Sequence, residues 1–484
     1  MGKFYDSVPV SAIVRIRDMM YTVKDPFRLD QGDVSFDAPE TFKQAVARAM
    51  AENRTHYLPT AGIPPLRKAF AEKLRKKNHI PVESDDEILV TNGGTHGLYA
   101  VFHALLEPGD EVIIPDPEWP PTMAMVQAAG GKAVQVPLRE ELRFRWNIDD
   151  VEKAITPKTR VLYLNSPNNP SGGVLTKDDL ERLAAIAKAK NLWVVSDEAY
   201  EDVVYHGEHI SIASLPGMYD RTIPVYTLSK SYAITGVRVG YFAIKDKALR
   251  DRALKIVLYT TSNVSSIAQY GAVGAMEGSQ QCIADFKKEL VFRRDMFYKG
   301  LQEAAPGMFS GTPPDGAFYA FVKINPETAK RAGITGESLS WAMAEYLIKN
   351  ARIGCVPGVD FGASSEGYLR FCTCRSREEL TGALQSMKDA LSRVAAGQDS
   401  RAAIITRRTG GDDDRCAWRS TRRIPRTINR RMPGVAPSPH PAQARRRDPS
   451  APRTRAFRPP TPRSDTARST RAQSARLSAS AGSK

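Results

Sequence analysis

The chain has 484 residues, and its hydrophobic content of 42% provides enough apolar material for a large globular core. The net charge of +15 is confined to the C-terminal part, because residues 399–484 carry 21 basic side chains against 6 acidic ones and residues 1–398 are neutral overall. The basic charge therefore says nothing about residues 1–398. The N-terminus has no apolar core of signal-peptide length, and nowhere do 18 uncharged apolar residues run together, as a membrane span would need. We therefore expect a cytoplasmic protein with no membrane partner.

The cysteines are few, and their spacing matches neither a disulfide framework nor a zinc site. This pattern indicates a reducing compartment, and no metal site is expected. The five cysteines are Cys282, Cys355, Cys372, Cys374 and Cys416.

Short apolar segments alternate with amphipathic helical segments through the first two thirds of the chain. Near-continuous apolar strands between helices predict an α/β domain with a mostly parallel, seven-stranded sheet and helices on both faces. The predicted strands are EILVT (87–91), EVIIP (111–115), KAVQVP (132–137), RVLYLN (160–165), LWVVSD (192–197), PVYTLS (224–229) and VGYFAI (239–244).

After about residue 285 the pattern changes to long helices around the short strands 318–324 and 368–373. This change predicts a second, smaller α+β domain. The predicted organisation is an N-terminal segment (1–47) that packs with the small domain, a large domain that contains the predicted parallel sheet (48–285), a small C-terminal domain (286–398) and a tail (399–484).

The tail is rich in Arg, Pro and Ser and has no apolar periodicity. Such a segment buries too little surface to offset the entropy of ordering, so we predict that it is disordered. One interpretation is a tether for nucleic acid or another anionic surface. The alternatives are an unstructured extension or translation past the natural end of the coding frame, and the abrupt change of composition favours these.

Residues whose groups are suited to binding or catalysis follow several of the predicted strands. In a doubly wound sheet, ligands bind beyond the carboxyl ends of the strands. Gly93, Gly94 and Thr95 follow the first strand and open a helix, where backbone N–H groups form an anion site. Trp119 follows the second strand, and Asn169 lies in the turn after RVLYLN. Each of these also has an ordinary structural explanation, as a tight turn or a packing residue.

The remaining strand ends carry ionisable groups. Asp197 closes an otherwise apolar strand, where a carboxylate is costly without a cationic partner. Tyr200 follows it, and Lys230 and Arg238 follow the next strand. Taken together, these residues suit a planar, protonatable ring that carries a phosphate and an aldehyde, which describes pyridoxal 5'-phosphate bound to a lysine.

From about residue 10 to residue 392, the sequence resembles the class I/II aminotransferases, the aspartate-aminotransferase-like family of fold-type-I pyridoxal-phosphate enzymes. The order and spacing of the motifs match along this whole stretch. The matching motifs are YLPTAG (57–62), TNGGT (91–95), PEW (117–119), NNPSG (168–172), DEAY (197–200), TLSKSYAITGVRVGY (227–241), PGVDFG (357–362) and YLRF (368–371).

The resemblance implies a role for each residue around the cofactor ring. Lys230 would form the Schiff base and then, once released by substrate, move a proton between the substrate and the cofactor. Asp197 would keep the ring nitrogen protonated. Tyr200 and Asn169 would hydrogen-bond the ring hydroxyl group, and Trp119 would stack on the ring face.

The resemblance also implies how the phosphate and the substrate are held. Arg370 would bind the substrate α-carboxylate, with Asn169 beside it, and Gly32 would lie in the backbone turn over the substrate. Tyr57 would reach the phosphate from a second subunit, which implies a homodimer with shared active sites. The phosphate ligands within one chain would be Gly93, Gly94, Thr95, Thr227, Ser229 and Arg238.

The function implied is transfer of the amino group of an L-amino acid to a 2-oxo acid such as 2-oxoglutarate, with aspartate-type or broad specificity. Thr95 stands where some aspartate-type relatives have a lysine, so a cation for a second carboxylate would have to come from elsewhere, such as Arg15 or Arg17. A β-eliminating lyase on the same scaffold remains an alternative, and nucleic-acid binding would rest on the tail alone. Of the histidines, His206 and His209 are expected at the surface, while His96 could face the substrate.

Overall fold

The computed structural model describes residues 10–395, together with Asp6 and Val8. Within these residues, the larger sheet has eight strands in the order β1-β8-β7-β6-β5-β2-β3-β4. The bounds are β1 Ile88–Thr91, β2 Glu111–Asp116, β3 Lys132–Arg139, β4 Arg145–Trp146, β5 Thr159–Asn165, β6 Trp193–Asp197, β7 Thr222–Thr227 and β8 Gly240–Ala243.

The prediction of a mostly parallel α/β sheet is confirmed. Strands β3, β2, β5, β6 and β7 are parallel neighbours, whereas β8 runs antiparallel between β1 and β7. The prediction of seven strands is wrong by one, because Arg145–Trp146 adds an antiparallel strand beside β3. Two residues are too few to show a periodicity, so the sequence contained no signal for this strand.

Helices cover both faces of this sheet, as the alternating pattern predicted. Separate apolar clusters on the two faces include Phe102 from one layer of helices and Leu183 from the other. The α-helices in the described residues up to 277 are α1 Ala12–Met20, α2 Glu40–Ala51, α3 Pro64–Lys76, α4 Gly94–Leu105, α5 Pro120–Ala128, α6 Ile148–Ala154, α7 Lys177–Ala189, α8 Leu228–Ser231, α9 Lys247–Thr261 and α10 Ser266–Glu277.

The end of β7 differs from the sequence prediction. A strand was predicted over 224–229, but β7 ends at Thr227 and a single turn of helix, α8, carries Lys230. The Thr227 side chain accepts a hydrogen bond from the backbone N–H of Ser229 and so caps this turn. The cap replaces strand pairing at the point where the chain leaves the sheet.

A second sheet, in the order β11-β12-β10-β9, follows in the chain. Its apolar cluster includes Ile16 and Met20 of α1, while Phe42 of α2 packs in a cluster with α3 and α10. The boundaries proposed above for the N-terminal, large and small domains stay predictions. The remaining elements are β9 Phe309–Ser310, β10 Tyr319–Ile324, β11 Val356–Pro357, β12 Tyr368–Cys372, α11 Gln281–Ala304, α12 Pro326–Arg331, α13 Leu339–Ala351 and α14 Arg377–Ala395.

The predicted disordered tail, residues 399–484, lies outside the described residues. Among the helices of the described part, none combines the length and the apolar character needed to cross a bilayer.

Candidate active site

A cleft of about 300 Å³ opens at the carboxyl ends of β5, β6 and β7 and extends to β12 of the second sheet. Parallel strands end at the same edge, and the register pairs Asn165 with Asp197 and Asp197 with Val225. The cleft gathers most of the residues singled out from the sequence. They are Gly32, Gly94, Thr95, Trp119, Asn169, Asp197, Tyr200, Thr227, Ser229, Lys230, Arg238 and Arg370.

Lys230 extends from the short helix α8 into this cleft. Its Nζ atom donates a hydrogen bond to the backbone oxygen of Gly32 at 2.5 Å. Burial lowers the pKa of Lys230, because removing water disfavours the ammonium form. A lysine in this setting is more often neutral than a surface lysine, and a neutral amine is the form that attacks a carbonyl group.

Asp197 is the last residue of β6 and lies almost fully buried beside the cleft. It accepts hydrogen bonds from the Ala199 backbone N–H at 3.1 Å and from the Tyr163 hydroxyl at 3.2 Å. Burial raises the pKa of Asp197 to about 6. No lysine, arginine or histidine of the described residues forms an ion pair with it, so the carboxylate is available to a cationic ligand.

The cleft has an anion-binding corner at the start of α4. Gly93 has φ +81° and caps this helix, and a Cβ placed on it would lie 2.5 Å from Nη2 of Arg238. A glycine is therefore required for the guanidinium to approach the helix N-terminus. Thr227 and Ser229, whose hydroxyl groups are 2.8 Å apart, complete the corner. A helix N-terminus, an arginine and two hydroxyls fit a phosphate.

Arg370 of β12 forms the opposite side of the cleft. It is 2% exposed, and its Nη1 and Nη2 atoms donate to Asn169 Oδ1 at 3.1 Å and to the Asp30 backbone oxygen at 2.6 Å. Its Nε atom is buried and has no hydrogen-bond partner in the structure. The guanidinium lies 4.7 Å from the centroid of the Tyr319 ring and 5.1 Å from that of Phe361. A buried cation with unused donor capacity suits a carboxylate ligand.

Tyr200 and Trp119 complete the walls. The Tyr200 and Tyr319 hydroxyl oxygens are 2.5 Å apart, and burial raises the pKa of Tyr200, which keeps its hydroxyl protonated. Trp119 lies at the N-terminus of α5, half-buried against the cleft. One side of the cleft is therefore aromatic and neutral.

Several residues considered from the sequence lie elsewhere. Tyr57 is 90% exposed and outside the cleft of its own chain, so its predicted contact with a second subunit's cofactor stays a prediction. Arg15 pairs with Glu345 at 3.3 Å and Arg17 with Asp18 at 2.9 Å. Neither arginine lines the cleft of its own chain.

The exposure of the histidines differs in part from the sequence prediction. His206 is exposed as expected, but His209 is not a surface residue, because its side chain is only 9% exposed and its Nε2 lies 2.9 Å from a carboxylate oxygen of Glu198. The YHGEH segment looked like a polar turn, and only the fold shows the buried acid behind it. His96 contacts Thr260 at 2.7 Å and does not line the cleft of its own chain.

Glu198, Glu201 and His209 are the one group in the described chain whose ligand atoms come close enough for a metal ion, within 4.8 Å of one another. A lysine side chain already supplies a positive charge beside these acids. Lys73 forms an ion pair with Glu201 and lies 3.8 Å from the centroid of the Tyr226 ring. The buried ammonium pairs with Glu201, and Glu198 accepts hydrogen bonds from the Ser211 and Tyr226 hydroxyls, so neither acid lacks a partner.

Several residues of the site were not predicted from the sequence. Asp30 and Tyr319 hold Arg370, and Tyr163 and Glu118 lie behind Asp197. Each was an ordinary member of an apolar strand or of a turn in the sequence. A tyrosine in the buried part of a strand, as Tyr163 is in β5, was the one usable signal, because a buried phenol needs a hydrogen-bond partner.

With the fold and the cleft described, comparison with known proteins identifies the class of enzyme. The family model for aminotransferase class I and II matches residues 24–387, and this chain belongs to that family. Aspartate aminotransferase of Pyrococcus abyssi is 37% identical over 394 residues, which cover 81% of this chain and 98% of that protein.

Two further relatives agree with this assignment. Aromatic-amino-acid aminotransferase 2 of Thermococcus litoralis is 36% identical over 389 residues, covering 80% of this chain and 97% of that protein. The solved structure of aspartate aminotransferase from Thermus thermophilus with maleate matches with a TM-score of 0.73 and 34% identity, covering 81% of this chain and 99% of that chain. The predictions of an aminotransferase and of its fold are confirmed.

Proposed function

We propose that this aminotransferase binds pyridoxal phosphate in the cleft, with Lys230 joined to its aldehyde and Asp197 facing its ring nitrogen. When bound, the cofactor supplies an electron sink for the carbanion formed at the substrate α-carbon. The observation that carries the proposal is the placement of three groups in one cleft: a partly buried lysine, a buried carboxylate without an ion pair, and an arginine at a helix N-terminus. These groups match the aldehyde, the protonatable ring and the phosphate.

Lys230 is the residue that moves the proton in this proposal. Because burial lowers its pKa, its amine is available in the neutral form, which can accept a proton at Nζ. The backbone oxygen of Gly32 holds Nζ within the cleft at 2.5 Å. Once the substrate has released Lys230 from the cofactor, its Nζ atom would accept a proton from the substrate α-carbon and hold it within the cleft.

Arg370 and Asn169 bind the substrate α-carboxylate. Asn169 Oδ1 and the Asp30 backbone oxygen orient the guanidinium, and the buried Nε remains as an unused donor. A carboxylate that approaches this fork gains charge-assisted hydrogen bonds in a site that is shielded from water. This grip acts on any α-amino acid or 2-oxo acid, whatever its side chain.

The substrates are an L-amino acid and a 2-oxo acid, and we infer broad rather than strictly dicarboxylate specificity. The described cations that line this chain's cleft, Lys230, Arg238 and Arg370, all have other partners in the proposal. Ile13 and Leu98 also line the cleft and offer apolar contact to a side chain. Aspartate would need a further cation from outside this set.

The specificity is tested by comparing kcat/KM for aspartate and phenylalanine with 2-oxoglutarate as acceptor. Broad specificity predicts values within about tenfold of each other, which corresponds to about 1.4 kcal/mol. A preference for aspartate of more than about a hundredfold would instead require a second cation, about 2.8 kcal/mol of discrimination.

The cofactor assignment is tested by the visible absorption of the purified protein. A yellow band that is bleached by an amino acid and restored by 2-oxoglutarate is the result expected for transamination. The variant Lys230→Ala should lack this band, whereas Lys330→Ala, on the exposed face of α12, should retain it. Pyruvate and ammonia formed from a substrate without any acceptor would identify a β-eliminating lyase instead.

A further inference from the structure

Behind Asp197, on the side away from the cleft opening, lies a second acid. Glu118 is 0% exposed, and none of the described cations forms an ion pair with it. Its Oε1 atom lies 3.3 Å from the Tyr163 hydroxyl and 3.4 Å from that of Thr122. An ionised carboxylate in this place would be costly, because burial removes its hydration without a compensating positive charge.

One hydroxyl group connects the two acids. The Tyr163 oxygen lies 3.2 Å from Oδ2 of Asp197 and 3.3 Å from Oε1 of Glu118. The phenol has a single hydrogen and can donate it to only one of them. Two ionised carboxylates around one phenol would also repel each other in a site with little water, so one of the acids carries a proton.

Burial and the surrounding charges identify which acid is protonated. Glu118 faces two titratable groups, Tyr163 and Asp197, and no cation among the described residues. Asp197 borders the cleft and faces Glu198, Tyr163 and the amine of Lys230. Burial raises the pKa of Glu118 well above its ordinary value, whereas that of Asp197 rises only to about 6. The proton belongs on Glu118.

The neighbouring amide indicates which oxygen carries it. Asn168 Oδ1 accepts hydrogen bonds from the Ser171 backbone N–H at 3.1 Å and from its hydroxyl at 2.7 Å. The amide nitrogen of Asn168 therefore faces Glu118 and donates to Oε2 at 3.3 Å. Because Oε2 accepts this bond, Oε1 is the oxygen left to donate, and the Thr122 hydroxyl can donate to the Tyr163 oxygen, 3.3 Å away, rather than to Oε1.

We propose that Glu118 is a positioning residue whose protonated carboxyl donates from Oε1 to the Tyr163 oxygen, so that the Tyr163 hydroxyl donates to Asp197. The negative charge is thereby kept on the acid that borders the cleft. A carboxyl group that stays neutral near neutral pH serves as a hydrogen-bond donor without competing for the positive ligand. The importance for catalysis of these hydrogen bonds, from Glu118 through Tyr163 to Asp197, rests on the proposed role of Asp197.

Infrared difference spectroscopy tests the proton on Glu118 directly. The full chain is compared with Glu118→Gln at neutral pH in H₂O and in D₂O. We expect wild type to show the carbonyl stretch of a protonated carboxylic acid, shifted by D₂O, that the variant lacks. Glu181→Gln, an exposed glutamate on α7, is the matched control and should remove only carboxylate bands. A Glu118→Gln difference that resembles the control would overturn the proposal.

A second variant keeps the test independent of how Glu118→Gln folds. In Tyr163→Phe, Glu118 is intact but has lost its acceptor, so its carbonyl band should move to higher frequency. An unmoved band would show that Glu118 does not donate to Tyr163. Because this spectrum reports the acid with or without cofactor, its failure is distinguishable from failure of the proposed function.

The pH dependence of pyridoxal phosphate binding then tests the effect on Asp197. Glu118→Gln should leave the midpoint of the acid limb unchanged, because one neutral group replaces another. Tyr163→Phe should raise the midpoint by about 0.5–1 pKa unit, the equivalent of one hydrogen bond. A midpoint that falls in Glu118→Gln would mean that a negative charge had been removed, and would refute a protonated Glu118.

Discussion

At the scale of single residues, Asp197 combines burial with an open position for a cation. Its folded-state pKa of about 6 lies above the ordinary value for aspartate, so it is ionised at neutral pH and takes up a proton as the pH falls through about 6. Only the ionised form can hold a protonated ring nitrogen. In the proposed function, the affinity for the cofactor and its dependence on pH are therefore linked through Asp197.

The first prediction follows from this linkage. The dissociation constant of pyridoxal phosphate should be nearly constant above about pH 6 and should rise as the pH falls below it. The variant Asp197→Asn should bind the cofactor weakly, with no such inflection, and its kcat should fall on the order of 10²–10³-fold, as for the loss of a preorganised charge. Equilibrium dialysis across the pH range measures the affinity. An inflection retained in Asp197→Asn would assign it to another group.

A second prediction concerns the stability of the cofactor-free protein. Because the folded pKa of Asp197 is raised, the ionised form is disfavoured in the folded state at neutral pH, and stability is regained as the pH falls from about 6 toward 4. Asp197→Asn removes this cost, so it should raise the free energy of unfolding near pH 7 by roughly 1–3 kcal/mol.

Urea unfolding of the cofactor-free chains provides the measurement. The control is Asp251→Asn on α9, whose carboxylate is half-exposed and paired with Lys247. We expect no gain in stability from it. A destabilised Asp197→Asn would indicate that the bonds from Tyr163 and Ala199 outweigh the burial of the charge.

The third prediction concerns the substitution of Arg370. Arg370→Lys keeps the positive charge but loses the planar fork, so kcat/KM should fall roughly 10- to 100-fold, the equivalent of about 1.5–3 kcal/mol for hydrogen bonds to a charged group. Most of the change should be in KM for the amino acid, because the α-carboxylate is bound before and during the reaction. Arg331→Lys, on the exposed side of α12, is the control. A loss confined to kcat would place Arg370 outside substrate binding.

At the scale of elements, the turn between β1 and α4 depends on its glycine. Gly93 has a positive φ, and any side chain there would meet the guanidinium of Arg238. Gly109 also has a positive φ, +92°, but has no atom within 4 Å of an added Cβ. Substitutions at these two glycines therefore distinguish the effect of backbone strain from the effect of displacing Arg238.

The fourth prediction compares Gly93→Ala with Gly109→Ala. Both should lose stability, by about 1–3 kcal/mol for a residue held in a left-handed conformation. Only Gly93→Ala should also weaken the binding of pyridoxal phosphate, because Arg238 has to move away from the helix N-terminus. Thermal unfolding and a cofactor titration on the same samples measure both effects. Equal affinities in the two variants would exclude Arg238 from the phosphate site.

The helices and strands were predicted correctly where an apolar pattern extended over many residues. They were predicted wrongly where one side chain determined the backbone conformation. The parallel strands were found because most of their residues are apolar, and all residues of β2 are buried. The end of β7 was missed because the Thr227 side chain turns the backbone into α8 after an apolar strand. The short strand β4 depends on pairing with β3, which lies outside any local pattern.

At the scale of the whole molecule, the predicted homodimer gives a role to one exposed residue, Tyr57. Tyr57 is 90% exposed, although it lies in the YLPTAG motif that resembles the family. A large, exposed aromatic side chain is consistent with a partner surface. We therefore expect Tyr57 to reach the cofactor phosphate of a second subunit.

The fifth prediction is that Tyr57→Phe lowers the affinity for pyridoxal phosphate by about 2- to 12-fold, the equivalent of one hydrogen bond of about 0.5–1.5 kcal/mol. Tyr259→Phe, which removes a hydroxyl from another exposed tyrosine, should have no effect. Sedimentation should give a dimer for both variants. A monomeric wild-type enzyme that binds the cofactor normally would contradict the shared site.

The sequence by itself determined the class of fold, the family and the residues at the strand ends, because strand periodicity and motif order are local properties of the chain. Tertiary structure alone decided which distant residues meet. Arg370 reaches Asn169 across 201 residues, and Lys230 reaches Gly32 across 198. It also raises the pKa of Asp197 and of Glu118, since burial sets the cost of a charge and no local pattern shows that a carboxylate will be cut off from water.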